Sequence, residues 1–257
     1  MMIKKALLPI LLSILVVPAF ETSASAQTAD EVVNKYLAAL GGREALGKLT
    51  SRRAIGTITV STPNGDLGGP LEIDSKAPNK VRVAMDLDLS ALGVPDKMHN
   101  EQKFDGTSGW TLNSMQGDAE ITGNQLDNMR NNVFPTPLLN YKTAGLTVEL
   151  LPKETLNGKS VVVLRATPKA GSATKLYFDA ETYLLVRTVA TINSPQTGGD
   201  IEQTSDFSDY RAVDGIKIAF QVVNSNALQS AMIKLTKVEH NVALDDALFK
   251  AKSPAAR

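Results

Sequence analysis

The stretch "KVRVAMDLDL" at Lys80–Leu89 decides the fold of this chain. Apolar side chains alternate there with charged ones, so one face carries Val81, Val83, Met85, Leu87 and Leu89 and the other carries Arg82, Asp86 and Asp88. A β-strand directs successive side chains to opposite faces, so this pattern predicts a strand with one apolar face and one face in water. Antiparallel sheets accept that arrangement.

The same period-two rhythm recurs on both sides of this stretch, between short turns. Asp105-Gly106, Asn157-Gly158 and Asp214-Gly215 each stand between apolar runs. Such pairs are strong hairpin signals, because both central residues of a type I′ turn need positive φ. About eleven strands are expected, and they predict a mainly β (α+β) fold built on one antiparallel sheet that is wide enough to curl into a half-barrel. No shift in composition divides the chain, so we expect one domain over residues 27–257.

A helix is predicted before the first strand. Thr28 and Glu31 form an S/T-x-x-E capping box, and apolar residues then recur at helical spacing as far as Leu40. Gly41-Gly42 ends the helix, because glycine adopts the left-handed conformation at low cost. A short second helix is expected over Arg43–Leu49.

The segment Ile121–Tyr141 interrupts the strand pattern. Leu126, Met129 and Val133 follow helical spacing, and Pro135 marks the end of the run. We expect an inserted helix that covers the curled sheet as a lid.

The first residues, Met1–Ala26, resemble a secretory signal peptide. Two lysines precede the apolar run Ala6–Phe20, and Ala24-Ser25-Ala26 supplies the small-x-small pattern that a signal peptidase recognises. We expect cleavage after Ala26 and a soluble periplasmic protein. An uncleaved N-terminal anchor is the alternative.

Composition excludes several classes of function. The chain has no cysteine, which excludes disulfides, thiolate metal sites and a cysteine nucleophile. Its 27 basic and 27 acidic side chains become 25 and 26 once Lys4, Lys5 and Glu21 are removed with the signal, a net charge of −1. This balance gives no electrostatic footprint for nucleic acid, and none is expected as a partner.

The search for catalytic residues finds little. The two histidines, His99 and His240, have no HExxH-type partner, and both are expected on the surface. Asp179 and Glu181 in "YFDAETYLLVRT" could form an acid–base pair, which would need an apolar pocket to raise one pKa. The flanking strands instead favour a hairpin turn in which Asp179 binds the backbone two residues on.

Three stretches resemble the LolA/LolB-type periplasmic lipoprotein-carrier superfamily, and in particular its outer membrane lipoprotein-sorting members. They are "FDGTSGW" (Phe104–Trp110), "LYFDAETYLLVR" (Leu176–Arg187) and "FSDYRAVDGIKIAFQV" (Phe207–Val222). The helical opening and the signal sequence fit the layout of that group.

The resemblance implies a half-open antiparallel barrel around an apolar cavity, with helices as a lid, in a protein that binds lipoprotein acyl chains or other lipids. It implies membrane-bound donor and acceptor proteins as partners. We expect a monomer with neither cofactor nor metal. An arginine on an early strand contacts the lid in the lipoprotein carrier, which makes Arg52 and Arg53 candidates. The region Leu89–Gln102 does not match the carriers, and its Leu92 and Val94 are candidates for contact with a partner or membrane.

Strand alternation and the lid stripe together predict the residues that line the cavity, with ordinary core packing as the alternative for each. They are Val83, Met85, Leu87, Trp110, Leu112, Leu126, Met129, Val133, Val186, Ile218, Phe220, Ile233 and Leu235.

Three functions remain open from the sequence. The first is a carrier of acyl chains or lipids with no chemistry of its own. The second is an envelope sensor or scaffold that uses the same fold to bind a protein, as an anti-sigma regulator does. The third is a hydrolase that acts on a lipid or sugar.

Overall fold

The computed structural model describes residues 27–194 and 199–250. The predicted signal segment, Met1–Ala26, lies outside the described residues. Within them the fold is mainly β, as the sequence predicts, with fourteen strands in one antiparallel sheet rather than about eleven. Three of the fourteen contain only three or four residues, which is too short for a period-two pattern to show.

Strands make up most of the described chain, and α-helices occur near its start and in its middle. The strands are β1 (Ser51–Thr62), β2 (Gly65–Lys76), β3 (Lys80–Asp88), β4 (Lys97–Phe104), β5 (Gly109–Asn113), β6 (Ala119–Ile121), β7 (Thr147–Leu150), β8 (Glu154–Leu156), β9 (Lys159–Thr167), β10 (Thr174–Asp179), β11 (Leu185–Ser194), β12 (Gly199–Val213), β13 (Ile216–Ser225) and β14 (Ser230–His240). The helices are α1 (Ala29–Leu40), α2 (Arg43–Gly47) and α3 (Gly123–Asn131). None of these described helices has the length and apolar character to cross a membrane.

The sheet consists of two arms joined through the first and last strands. One arm runs β6-β5-β4-β3-β2-β1 and the other runs β14-β13-β12-β11-β10-β9-β7, with β8 beside β9. Ten residue pairs between β1 and β14 hold the arms together, from Arg52–His240 to Ser61–Ser230. The outermost strands β6 and β7 do not pair with each other, so the sheet is open, and the chain from 122 to 146 passes from one edge to the other.

Helix α1 forms where the sequence places it and covers one part of the sheet. The Thr28 hydroxyl accepts from the Glu31 amide at 3.2 Å, and the Glu31 carboxylate accepts from the Thr28 amide at 3.1 Å. Its buried residues pack against Phe178 and Ile216. We call the helix-covered side of the sheet its inner face and the opposite side its outer face.

Helix α3 covers the inner face near the β6 edge. Leu126 and Met129 pack against Phe104 and Ile121. The helix ends at Asn131, so the predicted three-residue stripe contains two helical residues and Val133 lies beyond the helix. The segment after it returns to α1, where Leu138, Leu139 and Tyr141 are buried among the α1 residues.

Two of the three predicted turn pairs have the expected geometry. Both residues of Asn157-Gly158 and of Asp214-Gly215 have positive φ, between 50° and 79°. Asp105 differs, because its carboxylate accepts from the amides of Thr107 and Ser108 and holds a longer loop between β4 and β5.

The acidic pair of "YFDAETYLLVRT" lies in a turn. The Asp179 carboxylate accepts from the Glu181 amide at 3.1 Å, from the Thr182 amide at 2.8 Å and from the Thr182 hydroxyl at 2.9 Å. The Thr182 backbone hydrogen bond is the largest cause that holds the pKa of Asp179 below its ordinary value. A general acid needs the opposite shift, and Glu181 is exposed to water rather than held in an apolar pocket.

Gly56 leaves no room for a side chain in the ladder that joins the two arms. A Cβ there would lie 2.1 Å from the Lys234 carbonyl oxygen. We therefore expect Gly56→Ala to lower the free energy of unfolding by about 2 kcal/mol through overpacking. Gly68→Ala is the matched control on β2, since its Cβ would meet its nearest atom at 3.7 Å. Urea denaturation of both variants measures the difference, and equal stabilities would contradict this explanation of the ladder.

The Asp179 turn gives a second prediction for stability. Asp179→Ala leaves three donors without their acceptor and should cost about 1 kcal/mol, as the loss of a capping side chain does. Glu181→Ala should change stability by less than about 0.5 kcal/mol. Because the pKa of Asp179 is lowered on folding, its contribution is present at neutral pH and is lost as pH falls through the folded-state pKa. Denaturation at pH 7 and pH 3 tests this, and a D179A deficit that grows towards pH 3 would refute it.

Candidate functional site

An apolar cavity of about 340 Å³ lies between the helices and the inner face of the sheet. Apolar side chains line it from α1 and α2 and from β1, β2, β11, β12, β13 and β14. Leu40 and Leu46 contribute from the helices, and Ala54 and Ile73 contribute from the sheet. The cavity therefore lies where the two arms meet, beneath the N-terminal helices.

Three of the predicted lining residues meet in this cavity. Ile218 on β13 and Ile233 and Leu235 on β14 all contribute to its wall. The ladder explains why they meet, because Ile233 pairs with Val222 on one side and with Ile58 on the other. Paired residues point to the same face of a sheet.

A second, larger cavity of about 970 Å³ lies further along the inner face. The predicted residues Val83 and Met129 line it, between β3 and α3. Its wall also carries seven side-chain amides, Gln102, Gln125, Asn128, Asn132, Gln203, Asn226 and Gln229. The two cavities adjoin at one cross-strand pair, since Ile73 of the smaller cavity pairs with Val83 of the larger one.

Other predicted residues pack within the inner layer and do not line either cavity. Leu87 is buried beside Ile58, with Met85 packed against the same cluster. Phe220 is buried against Ala54 and Val238. Leu126 packs against the cluster that contains Met129.

Three residues that the sequence predicts to line the cavity lie on the outer face instead. They are Trp110, Leu112 and Val186. Trp110 pairs with Lys103 and Leu112 with Glu101, whereas Val83 pairs with Gln102 between them. Alternation within one strand assigns two faces but does not say which of them is the inner one.

Val186 reaches the outer face because of a bulge. Tyr177 pairs with Arg187, and the next residue, Phe178, pairs with Leu185, so Val186 is left without a partner. Val186 packs with Val161 and Tyr177, while its neighbour Leu185 lines the smaller cavity.

Phe207 and Tyr210 are lining residues that alternation misses. They stand three apart on β12, yet both reach the smaller cavity. Asp209 lies between them with φ of 53° and has no partner in the β12–β13 ladder, so it reverses the alternation there. Positive φ at a non-glycine residue gives no reliable signal in a single sequence.

Arg52 extends into the smaller cavity from the first residues of β1. Its guanidinium carbon lies 5.6 Å from the ring centroid of Phe134, in the predicted lid segment. Burial lowers the pKa of Arg52 and raises the pKa of Tyr36, which faces it across the cavity. A half-buried cation thus lies among aromatic and aliphatic groups.

Arg53, the other arginine predicted to contact the lid, lies on the outer face. Its Nε donates to Asp74 at 2.7 Å, and Asp74 is fully buried. Arg82 also pairs with Asp74, at 3.1 Å, and joins it to Glu101. The hydrogen bond to Asp74 is the largest cause that raises the pKa of Arg53. Arg53 therefore belongs to an ion-pair network far from the lid.

The two histidines differ in environment. His99 is exposed as expected, with Nδ1 2.7 Å from Asp86. The surface prediction is wrong for His240, whose side chain is only 2% exposed and has Nδ1 3.2 Å from Asp214. Burial lowers the pKa of His240, and the positive charge of Arg52, its partner across the β1–β14 ladder, lowers it further. Its Nε2 has no hydrogen-bond partner among the described residues.

The loop between β3 and β4 exposes the two residues predicted to contact a partner. Leu92 is 43% exposed and Val94 is 37% exposed. Met115 and Leu228 are also exposed, on the β5–β6 and β13–β14 loops. The strand directions bring these three loops to the same end of the sheet. No group of three acidic or histidine side chains suited to a metal occurs in the described part of the chain.

Comparison with known proteins identifies the architecture. No family model and no curated protein matches the sequence. A LolA superfamily protein from Nitrosomonas europaea matches 88% of this chain and 99% of its own, with a TM-score of 0.54 and 15% identity. A putative outer membrane lipoprotein-sorting protein domain from Vibrio parahaemolyticus matches 86% of this chain and 97% of its own, with a TM-score of 0.56 and 12% identity.

A DUF1329 family protein from Desulfovibrio piger gives a similar result. It matches 86% of this chain and 97% of its own, with a TM-score of 0.57 and 13% identity. At these identities the likeness concerns the path of the chain and not the residues of the site. The curled, open antiparallel sheet with helices on its inner face therefore gives this chain the LolA-type fold.

Proposed function

We propose that this protein is a periplasmic carrier that binds lipoprotein acyl chains or other lipids in the cavity under its helices, and that it serves in outer-membrane lipoprotein sorting. The observation that carries the proposal is the apolar cavity of about 340 Å³ between the helices and the sheet. A cavity of this size is within the range of small-molecule sites. The LolA-type fold supports the same function.

The physical basis is the burial of methylene groups. Each buried CH₂ contributes about 0.8 kcal/mol, so a chain of about 16 carbons would gain on the order of 12 kcal/mol gross. A carrier also has to release its cargo, and the helices that cover the cavity can offset part of that gain when they close over an empty interior.

The lining of the cavity supports binding rather than catalysis. Its polar members are Tyr36, Tyr210, Arg52 and Lys217. The Tyr210 hydroxyl donates to the Leu185 carbonyl at 2.7 Å, and burial raises its pKa. The wall of the cavity, within the described residues, holds no carboxylate, serine or histidine that could act as a nucleophile or general base.

The carrier proposal predicts co-purified lipid. Native mass spectrometry of protein from cells should show bound fatty-acyl material. Ile233→Trp, which fills the cavity from β14, should reduce the bound fraction severalfold. Met232→Trp is the matched control, because Met232 is 37% exposed on the outer face. An empty wild-type protein that also fails to bind a fluorescent lipid probe would refute the proposal.

The second candidate function is an envelope sensor or scaffold. It is favoured by the exposed apolar residues Leu92, Val94, Met115 and Leu228 at one end of the sheet. Exposed apolar patches mark surfaces that bind proteins or membranes.

This second candidate separates from the first by experiment. Leu92→Asp combined with Val94→Asp should abolish capture of a protein partner in pull-down from an envelope extract while leaving the affinity for a fluorescent lipid unchanged. Capture that is unaffected by these substitutions would remove the loop from the binding surface.

A further inference from the structure

Arg52 is exceptional among the arginines of this chain because nothing neutralises it. Arg43, Arg53, Arg82, Arg130, Arg165, Arg187 and Arg211 each bind a carboxylate or another acceptor. Within residues 27–194 and 199–250, Arg52 alone among the arginines has neither an ion-pair partner nor a hydrogen-bond acceptor. Its position in the wall of the apolar cavity makes this lack of a partner consequential.

Arg52 is half-buried, so its unpaired charge is partly withdrawn from water into an apolar wall, which is unfavourable. Removing a guanidinium from water is compensated only when a carboxylate, a phosphate or several acceptors bind it. The face of Phe134 at 5.6 Å offers a weak cation–π contact. The titratable groups that face Arg52 are Tyr36, across the cavity, and His240, its partner on β14. Burial raises the pKa of Tyr36 and lowers that of His240, so neither supplies a negative charge.

We propose that the missing partner is the anionic head of the ligand, and that the cavity takes an amphiphile with one apolar chain and a carboxylate or phosphate head that pairs with Arg52. This inference rests on the lipid-carrier part of the proposed function and narrows its cargo to single-chain anionic lipids, because acyl chains held in ester or amide linkage to a lipoprotein have no anionic head. A planar guanidinium binds either head group through two parallel hydrogen bonds.

The size of the cavity favours a single chain. A cavity of about 150 Å³ holds one benzene molecule, so about 340 Å³ holds roughly twice as many carbon atoms. A longer chain has a continuation, because the Ile73–Val83 pair leads from this cavity into the larger one. Several chains side by side would not fit next to Arg52.

The experiment compares three probes of equal chain length, dodecanoate, dodecyl phosphate and dodecanol, on full-length protein freed of bound lipid. Calorimetry should show dodecanoate, dodecyl phosphate or both binding about tenfold to a hundredfold more tightly than dodecanol, the ratio that a charge-assisted hydrogen bond supplies. Binding of dodecanoate alone points to a fatty acid, and binding of dodecyl phosphate alone points to a phospholipid-type head. Binding of both assigns the site to anionic heads in general.

Arg52→Met and Arg52→Gln should lower the affinity for the anionic probes to that for dodecanol, so that the preference is lost. Lys234→Met is the matched control, since Lys234 is an exposed cation on the outer face of β14, between Ile233 and Leu235, and it should keep the preference. The empty Arg52→Met protein should unfold at a temperature equal to or above that of the wild type, because a half-buried charge with no partner in the protein is removed. A purely structural role for Arg52 predicts a lower temperature.

Two results would overturn the inference, and they differ in scope. Equal affinities of the wild type for dodecanol and both anions would reject the role of Arg52 and leave the lipid carrier intact. A failure to bind any of the three probes would reject the carrier function as well.

Discussion

The pairing of β1 with β14 is the interaction on which the rest of the structure depends. It joins a strand near the beginning of the chain to one near its end, and it is the only strand pairing between the two arms of the described sheet. The ladder is irregular at Ile55 and Gly56, where Thr236 pairs with no residue of β1. Its hydroxyl donates instead to the Ile55 carbonyl. Lost pairing here would leave two separate meanders with no shared inner face, and neither would enclose a cavity.

The cavity is placed by the same ladder. Ala54 and Leu235 belong to the two paired strands, and both line the cavity. Arg52 and His240 form the ladder pair at its end, so the unpaired guanidinium and the buried imidazole are held next to each other by backbone hydrogen bonds. The position of the Arg52 guanidinium in the cavity is therefore set by the sheet rather than by a loop.

Local signals in the sequence predicted much of this architecture. The capping box at Thr28, the alternation through Lys80–Leu89 and the Asn157-Gly158 turn all have the expected geometry, because each depends on neighbouring residues only. It was harder to predict which side chains lie on the inner face, because this depends on the register between strands. The bulge at Val186 shifts the register, and Asp209 with its positive φ changes which side chains face inward, and neither has a reliable signal in one sequence. In the site, Ile233 and Leu235 could be found from their spacing, but the environment of His240 could not, since its partner Asp214 lies 26 residues away in the sequence.

The passage of residues 122–146 from one edge of the sheet to the other has a mechanical consequence. A segment attached to the sheet at one end only can move away from it freely. Residues 122–146 are attached at both ends, to β6 and to β7. The segment gains slack when the β6 and β7 edges approach each other, and it is drawn tight when they separate. A change in the curvature of the sheet would therefore change the distance that this segment spans.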